Sequence, residues 1–260
     1  MYNFDVREQT QNLVMWVRKW LTENGNSNTK VVVGVSGGKD STAVVSILYE
    51  AIGPDRIIGV MMPNGEQKDI SDSIRVCNHF KIKNYTINIG KTYETLTEEL
   101  CSVCTNGNEF PTPMYSTNTP ARLRMATLYG VGALVGNCRI VNTCNLSEDV
   151  VGWATYGGDG FNDFAPINHF TTEEVIAIGK ELGAPIDLME KTPDDGMCGF
   201  SDEEKLGFTY NELNKYIREG IKGEHSEKIL AMFNKSKFKI KNVQLPFYDP
   251  QLPICEDFKL

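Results

Sequence analysis

The glycine pair in VVVGVSGGKDSTAVV, residues 31–45, has an apolar segment on each side. A buried strand ending at Val35 and a helix starting near Asp40 would place the turn Ser36–Lys39 at the carboxyl edge of a parallel sheet, where α/β proteins bind ligands. Glycine lets the backbone approach a ligand closely, and the N–H groups at a helix start favour an anion. Ser41 adds a hydroxyl donor. The stretch therefore predicts an anion-binding turn.

Asp40 narrows the kind of anion site. A carboxylate beside a phosphate repels it unless a divalent cation bridges them, so Mg²⁺ is expected. The nucleotide P-loop does not fit, because Gly34, Gly38 and Lys39 are one residue short of its spacing and Asp40 stands where it needs Ser or Thr. A plain strand-to-helix turn with Asp40 as the helix N-cap stays open as the alternative.

Alternating strand and helix patterns surround this turn. The segments KVVVGVS, RIIGVMMP, NYTINIG and CRIVNTCN predict strands, and DSTAVVSILYEAIG, DISDSIRVCNHF and PARLRMATLYGVGALVG predict helices between them. A first helix over 10–21 and a helix after the capping box of Thr171 and Glu174 are also expected. This order favours an α/β fold with a Rossmann-like parallel sheet flanked by helices. The irregular, aromatic segment 150–170 is our hypothesis for a lid.

Composition limits the class of protein. The chain has 260 residues and a net charge of −8, which disfavours a nucleic-acid-binding surface. The sequence shows neither a signal peptide nor an apolar run of membrane-spanning length, so a cytoplasmic protein without a membrane partner is expected. Seven scattered cysteines favour reduced thiols, and we assign no role to the isolated pair Cys101 and Cys104.

The motif SGGKDS resembles the S-G-G-x-D-S pyrophosphate loop of the N-type ATP pyrophosphatases. Six further stretches resemble ammonia-dependent NAD⁺ synthetases and occur in that family's order: MPNGEQKD, PARLRMATLYG, VNTCNLSE, TYGGDGFNDFAP, EEVIAIGKELGAP and DEEKLGFTY. They span most of the chain, from about residue 31 to about residue 210. The resemblance is therefore to one family within the superfamily.

This resemblance implies a homodimeric enzyme that uses ATP and Mg²⁺ to adenylate the nicotinate carboxylate of deamido-NAD⁺. Ammonia then displaces AMP to give NAD⁺. A single synthetase domain over 1–260 is expected, because this length leaves no room for a glutaminase domain, and free ammonia is then the nitrogen donor. Two alternatives stay open: another enzyme with this loop, such as a tRNA-modifying synthetase, and a non-catalytic adenine-nucleotide-binding protein.

The resemblance also assigns site residues, position by position. The implied ATP-binding positions are Gly34, Val35, Ser36, Gly37, Gly38, Lys39, Asp40, Ser41, Thr143, Thr172 and Asp194. The implied deamido-NAD⁺-binding positions are Arg122, Tyr156, Asp163 and Lys239. Asp40 and Glu148 match the two Mg²⁺ carboxylates. Asp40 and Asp159 are the implied catalytic residues, with Asp159 near the ammonia site as an acceptor of the ammonium proton.

Several positions depart from the family's usual residues. Tyr156 and Thr172 stand where relatives carry a cation, and Asp194 stands where they carry Ser or Thr. Phe238 stands where a His is common. Because fewer cations weaken the attraction for phosphates, these departures bear on substrate affinity and on the exact substrate, more than on the type of reaction.

Overall fold

A parallel sheet forms the centre of the protein. The computed structural model describes residues 2–67, 70–104, 110–191, 202–241 and 245–260. In that part of the chain the sheet has four strands in the order β3-β2-β1-β4, all parallel. The strands are β1 (Lys30–Gly34), β2 (Ile57–Met61), β3 (Lys83–Thr86) and β4 (Cys138–Ile140). The predicted α/β class with a Rossmann-like sheet is confirmed.

Helices follow the strands and cover both faces of the sheet. They are α1 (Val6–Glu23), α2 (Lys39–Ile52), α3 (Ile70–His79), α4 (Gly90–Cys104), α5 (Pro113–Val135), α6 (Leu146–Val151), α7 (Thr172–Glu181), α8 (Ile186–Met189), α9 (Asp202–Leu206), α10 (Tyr210–Glu219) and α11 (Ser226–Lys241). Among the described residues, no helix is both long and apolar enough to cross a bilayer.

The two faces of the sheet explain why its central strand is apolar throughout. Val31 and Val33 of β1 pack into one core with side chains of α1, α2 and α7. Val32, between them, faces the opposite side and packs in a second core with Met125 and Leu128 of α5. A strand buried on both faces has no polar alternation, which is the pattern seen in this sequence.

The order in which the strands are added to the sheet reverses direction at β1. After β1 the chain builds β2 and β3 on one side, and it then returns to place β4 on the other side. The carboxyl ends of β1 and β4 therefore flank a topological switch point, where open α/β sheets form a ligand crevice. The segment after β1 contains Asp40 and the segment after β4 contains Glu148, so the fold brings the two together.

Two elements differ from the sequence expectations. Helix α4 is not predicted, although its apolar residues Tyr93, Leu96, Leu100 and Val103 recur at helical spacing; Gly90 is its one buried residue. Burial contradicts the lid hypothesis for the second half of segment 150–170, and for the first half it stays a hypothesis. Phe164, Ile167 and Phe170 are fully buried in the first core, and Trp20 of α1 stacks on Phe164 with ring centroids 4.4 Å apart.

Candidate active site

The turn between β1 and α2 is held by its own hydroxyl groups. Ser36 Oγ lies 3.1 Å from Ser41 Oγ, and it accepts a hydrogen bond of 3.2 Å from the N–H of Gly38. Gly38 is the N-cap of α2, so the turn leads directly into a helix start. Gly37 has a φ of +81°, a left-handed conformation that side chains rarely adopt. The turn thus has the glycine conformation and the helix start that the sequence predicts, and its anion binding stays a prediction.

Gly37→Ala should destabilise this turn. An added Cβ would lie 2.7 Å from Cβ of Asp72 and 2.8 Å from the backbone nitrogen of Ser73, on top of the strain of a positive φ. Gly53→Ala is the matched control, because its φ is +74° and no atom lies within 4 Å of the added Cβ. We expect urea unfolding to show about 1–3 kcal/mol more loss for Gly37→Ala. Equal losses in the free energy of unfolding would mean that the turn accommodates the added methyl group without strain.

Asp40 lies in the first turn of α2 and is held from two sides. Its Oδ1 accepts a hydrogen bond of 2.8 Å from the Nδ2 group of Asn145, and its Oδ2 accepts one of 2.9 Å from Lys39 Nζ. Asn145 is also the N-cap of α6 and forms a capping box with Glu148. One buried amide therefore fixes both predicted metal carboxylates relative to each other. The alternative of Asp40 as N-cap of α2 is wrong, since Gly38 occupies that position.

The carboxylates of Asp40 and Glu148 favour a cation between them. Partial burial, followed by the nearby Asp40 carboxylate, raises the pKa of Glu148 well above its usual range. Burial alone would lower the pKa of Lys39, but the two carboxylates reverse this effect and raise it above its ordinary value. The ammonium of Lys39 lies 4.0 Å from Glu148 Oε1. The pair thus creates a negative potential that a positive charge between Asp40 and Glu148 relieves.

The donor set fits a hard divalent cation. Among the described residues, no group of three or more His, Cys, Asp or Glu side chains could hold a metal ion. Mg²⁺ does not require such a cage, because it is often bound by one or two carboxylates together with substrate phosphates and water. Asp40 and Glu148 beside an anion-binding turn supply that arrangement. They are the residues that would hold Mg²⁺.

A cavity of about 480 Å³ adjoins this turn. Its wall includes Asp40 and Glu148 together with Thr143, Arg124 and Asp159. The volume lies within the ordinary range for small-molecule sites, and both charges are represented on the wall. The fold therefore brings the predicted metal carboxylates, the predicted threonine and the predicted catalytic aspartate to one cavity.

Asp159 is fixed by contacts on its main chain and side chain. Its Oδ1 accepts a hydrogen bond of 2.7 Å from the N–H of Thr155, and its carbonyl oxygen accepts one of 2.8 Å from Asn142 Nδ2. Asp159 lines the cavity, and burial by the surrounding chain raises the pKa of its carboxyl group above the usual value. A carboxylate with a raised pKa is a better proton acceptor.

Comparison with known proteins decides the family. The sequence model of the family described as NAD synthase matches residues 9–245. The chain belongs to the NAD synthase family. The NH₃-dependent NAD⁺ synthetase of Carboxydothermus hydrogenoformans is 31% identical over 245 residues, which cover 92% of this chain and 97% of that relative. The family predicted from the sequence motifs is confirmed, and the tRNA-modifying alternative is disfavoured.

Solved structures agree with this assignment. The NMN synthetase of Francisella tularensis matches with a TM-score of 0.82 and 28% identity, over 94% of this chain and 99% of that one. The NAD⁺ synthetase of Burkholderia pseudomallei matches with a TM-score of 0.74 and 22% identity, over 92% of this chain and 91% of that one. The second likeness bears on the fold alone, whereas the first is close enough in sequence to bear on substrate choice.

Two arginines of α5 lie in different surroundings. Arg124 is the one that lines the first cavity; its Nε donates a hydrogen bond of 3.0 Å to the carbonyl oxygen of Met62, and burial lowers the pKa of its guanidinium. The predicted substrate residue, Arg122, is exposed and donates to the carbonyl oxygen of Tyr156 at 3.2 Å. Arg124 is therefore a cavity residue that no sequence motif assigns, and the deamido-NAD⁺ role of Arg122 stays a prediction.

A second cavity, of about 610 Å³, contains two of the deamido-NAD⁺ positions predicted from the family. Tyr156 and Lys239 line it, and Lys239 Nζ donates to the carbonyl oxygens of Gly152 and Ala154 at 2.7 and 2.9 Å. The ring of Tyr156 lies 6.2 Å from that of Phe238. Tyr156 and Phe238, two positions at which this chain departs from the family's usual residues, therefore lie on one surface. Beside them, the ammonium of Lys239 is hydrogen-bonded to carbonyl groups.

The two cavities adjoin at Cys144, which lines both. Asp149 lines the second cavity, where burial and then the charge of Asp159 raise its pKa to about 7. No sequence feature singles out Asp149, although it directly follows Glu148. An acidic group that titrates near neutral pH next to the predicted substrate positions is a further feature of this site.

The remaining predicted residues lie apart from the cavities or outside the described chain. The side chain of Asp163 accepts hydrogen bonds from the Tyr129 hydroxyl at 2.9 Å and the Ile140 N–H at 2.7 Å, and it lines neither cavity. Thr172 is buried, and its hydroxyl lies 3.4 Å from Oδ1 of Asn145, the residue that contacts both Asp40 and Glu148. Asp194 lies outside the described residues. The assigned binding roles of these three residues stay predictions.

Proposed function

We propose that the protein makes NAD⁺ from deamido-NAD⁺, ATP and ammonia, releasing AMP and pyrophosphate through an adenylated nicotinate intermediate. It would then be a ligase that forms a carbon–nitrogen bond. The observation that carries the proposal is the joining of Asp40, Glu148 and Asp159 on one cavity at the end of the anion-binding turn. Family membership supports the same reaction.

The turn between β1 and α2, together with Asp40 and Glu148, activates the nicotinate carboxylate. A nicotinate carboxylate is a poor electrophile, because neither of its oxygens can leave at neutral pH. Transfer of AMP to one oxygen creates a leaving group, and the N–H group of Gly37 and the start of α2 would hold the departing pyrophosphate. Bound Mg²⁺ supplies charge neutralisation on the phosphates. Arg124 adds a positive charge on the cavity wall.

Amide formation is the task of Asp159. Only neutral ammonia has the lone pair needed for attack, so an incoming ammonium ion must lose a proton, which the Asp159 carboxylate accepts. The nitrogen then bonds to the acyl carbon while the bond from that carbon to the AMP oxygen breaks, and the nitrogen gives up one further proton to solvent as the neutral amide forms. Asn162 lines the same cavity beside Asp159, and its buried Oδ1 has no hydrogen-bond partner among the described residues. It offers a polar acceptor for the ammonium.

The proposal extends to the protein's state and setting. Mg²⁺ is the cofactor, the enzyme is a homodimer that works in the cytoplasm as a single domain, and it has neither a nucleic-acid nor a membrane partner. These statements come from the family resemblance, the acidic net charge and the sequence composition. Light scattering on the purified protein tests the dimer, and a monomer at micromolar concentration would contradict it.

The first test is formation of NAD⁺ and pyrophosphate from Mg²⁺–ATP, deamido-NAD⁺ and ammonium. We expect both products in equal amounts with ammonium and neither with glutamine as the sole nitrogen source. Pyrophosphate without NAD⁺ would mean that another carboxylate is the substrate. ATP binding without either product would support the non-catalytic alternative and overturn the proposal.

A second candidate substrate is nicotinate mononucleotide, which the same chemistry would convert to NMN. The match to the Francisella tularensis NMN synthetase favours it, as does the pairing of Tyr156 with Phe238 at the predicted deamido-NAD⁺ positions. Measuring kcat/KM for both acids separates the candidates. At least about a tenfold preference for deamido-NAD⁺ is expected for an NAD⁺ synthetase, and the reverse preference would assign NMN formation.

A further inference from the structure

Lys39 occupies the place of a cation at the predicted metal site. Its side chain is 6% exposed, and its Nζ lies 2.9 Å from Asp40 Oδ2 and 4.0 Å from Glu148 Oε1. The same ammonium lies 5.6 Å from the centre of the Tyr210 ring, a cation–π contact that adds to its binding. The position before the aspartate is the variable one in the loop motif, so this ion pair is a property of this chain.

An ammonium and a divalent cation compete for these carboxylates. A buried lysine needs anionic partners; Asp40 and Glu148 supply the main ones, and the Asp202 carboxylate adds a weaker attraction. A divalent cation bound to the same two carboxylates would lie close to the ammonium, and like charges at such distances in a partly buried site repel strongly. Metal binding therefore requires that Lys39 Nζ finds another anion.

Triphosphate binding supplies that anion. Lys39 is the first residue of α2 and directly follows the glycine pair of the anion-binding turn. Phosphates held by this turn would lie within reach of a long, flexible side chain that starts beside them. The ammonium can then exchange a carboxylate partner for a phosphate partner, which frees the carboxylates for the metal.

The carboxylates keep their places when the ammonium leaves. Asn145 Nδ2 donates to Asp40 Oδ1 at 2.8 Å, and the N–H of Asn145 donates to Glu148 Oε2 at 3.4 Å. Neither contact involves Lys39. Removing the lysine charge therefore changes the electrostatics of the pair and leaves the groups that orient it intact.

We propose that Lys39 is an internal counter-ion that makes divalent-cation binding at Asp40 and Glu148 depend on bound ATP. The proposal rests on the proposed function, which assigns the cation to this pair. Lys39 then sets the order of binding: ATP and the divalent cation bind together, and the cation alone binds weakly.

The test is Mn²⁺ binding without nucleotide, measured by electron paramagnetic resonance of the free ion. Lys39→Met, which is close to lysine in shape and lacks its charge, should bind Mn²⁺ at least about tenfold more tightly than the wild type. Lys39→Arg keeps the charge and should bind weakly. Lys180→Met is the control, because it removes a lysine from an exposed pair with Glu190 and should match the wild type.

Adding α,β-methylene-ATP, which resists cleavage at the bond between the α and β phosphates, completes the test. It should tighten Mn²⁺ binding by at least about tenfold in the wild type and by much less in Lys39→Met. Equal affinities of the two proteins without nucleotide would overturn the role of Lys39 and leave the metal site intact. Absence of Mn²⁺ binding in every protein, with and without nucleotide, would overturn the metal site itself. If Lys39→Met does not fold, an unchanged wild-type affinity on adding nucleotide still overturns the proposal.

Discussion

Asp40→Asn should lower kcat/KM for NAD⁺ formation by at least ~100-fold. Asparagine keeps the shape of the side chain and loses its charge, so Glu148 would be left as the one carboxylate of the predicted metal pair. Charge that develops on the departing pyrophosphate would then lose most of its neutralisation. The measurement is the initial rate of NAD⁺ formation with Mg²⁺–ATP, deamido-NAD⁺ and ammonium, over a range of ATP concentrations.

Two companion variants make this result specific. Glu148→Gln should reduce the rate to a similar extent, because it removes the other carboxylate that lines the cavity. Asp55→Asn removes an exposed carboxylate from the turn Pro54–Arg56 and should leave the rate unchanged. A rate for Asp40→Asn above about a tenth of the wild type would contradict the metal role of Asp40.

The sheet was predictable from sequence because burial on both faces leaves a clear signal. The run from Val31 to Val33 has no polar interruption, since its side chains enter two different cores. Helix α4 carries a weaker signal: Tyr93, Leu96, Leu100 and Val103 recur at helical spacing, yet only Gly90 is fully buried. Periodicity indicates a helix face there, and tertiary packing decides how much of that face is buried.

Some residues that line the cavities were predictable, but Arg124, Asp149 and several contacts were not. Residue types and motif order indicate Asp40 and Glu148, yet they do not show that the Lys39 ammonium lies between the two carboxylates. For Arg122 and Arg124, helical spacing shows that the two side chains lie on different faces. Which face meets the cavity depends on how α5 packs on the sheet, a long-range property that local sequence does not encode.

Arg218→Met should lower the free energy of unfolding by about 3–5 kcal/mol, because it leaves a buried carboxylate without its partner. Arg218 and Glu174 form a bidentate pair, with Nε–Oε1 and Nη2–Oε2 distances of 2.7 and 2.6 Å and side chains that are 3% and 4% exposed. Arg218 also donates to the carbonyl oxygens of His169 and Pro253. The pair thus joins α7, α10 and the C-terminal segment. Urea unfolding monitored by circular dichroism measures the loss.

Arg75→Met is the matched control, because its pair with Asp187 is exposed to solvent. It should leave the unfolding midpoint close to that of the wild type. The double variant Arg218→Met with Glu174→Met gives a sharper test, since neither charge is then buried alone. It should be more stable than Arg218→Met, although it also loses the hydrogen bonds that Glu174 accepts from the Thr171 N–H and the Tyr2 hydroxyl. If the double variant is instead the less stable protein, packing and hydrogen bonds at this junction outweigh the isolated charge, and the electrostatic explanation is wrong.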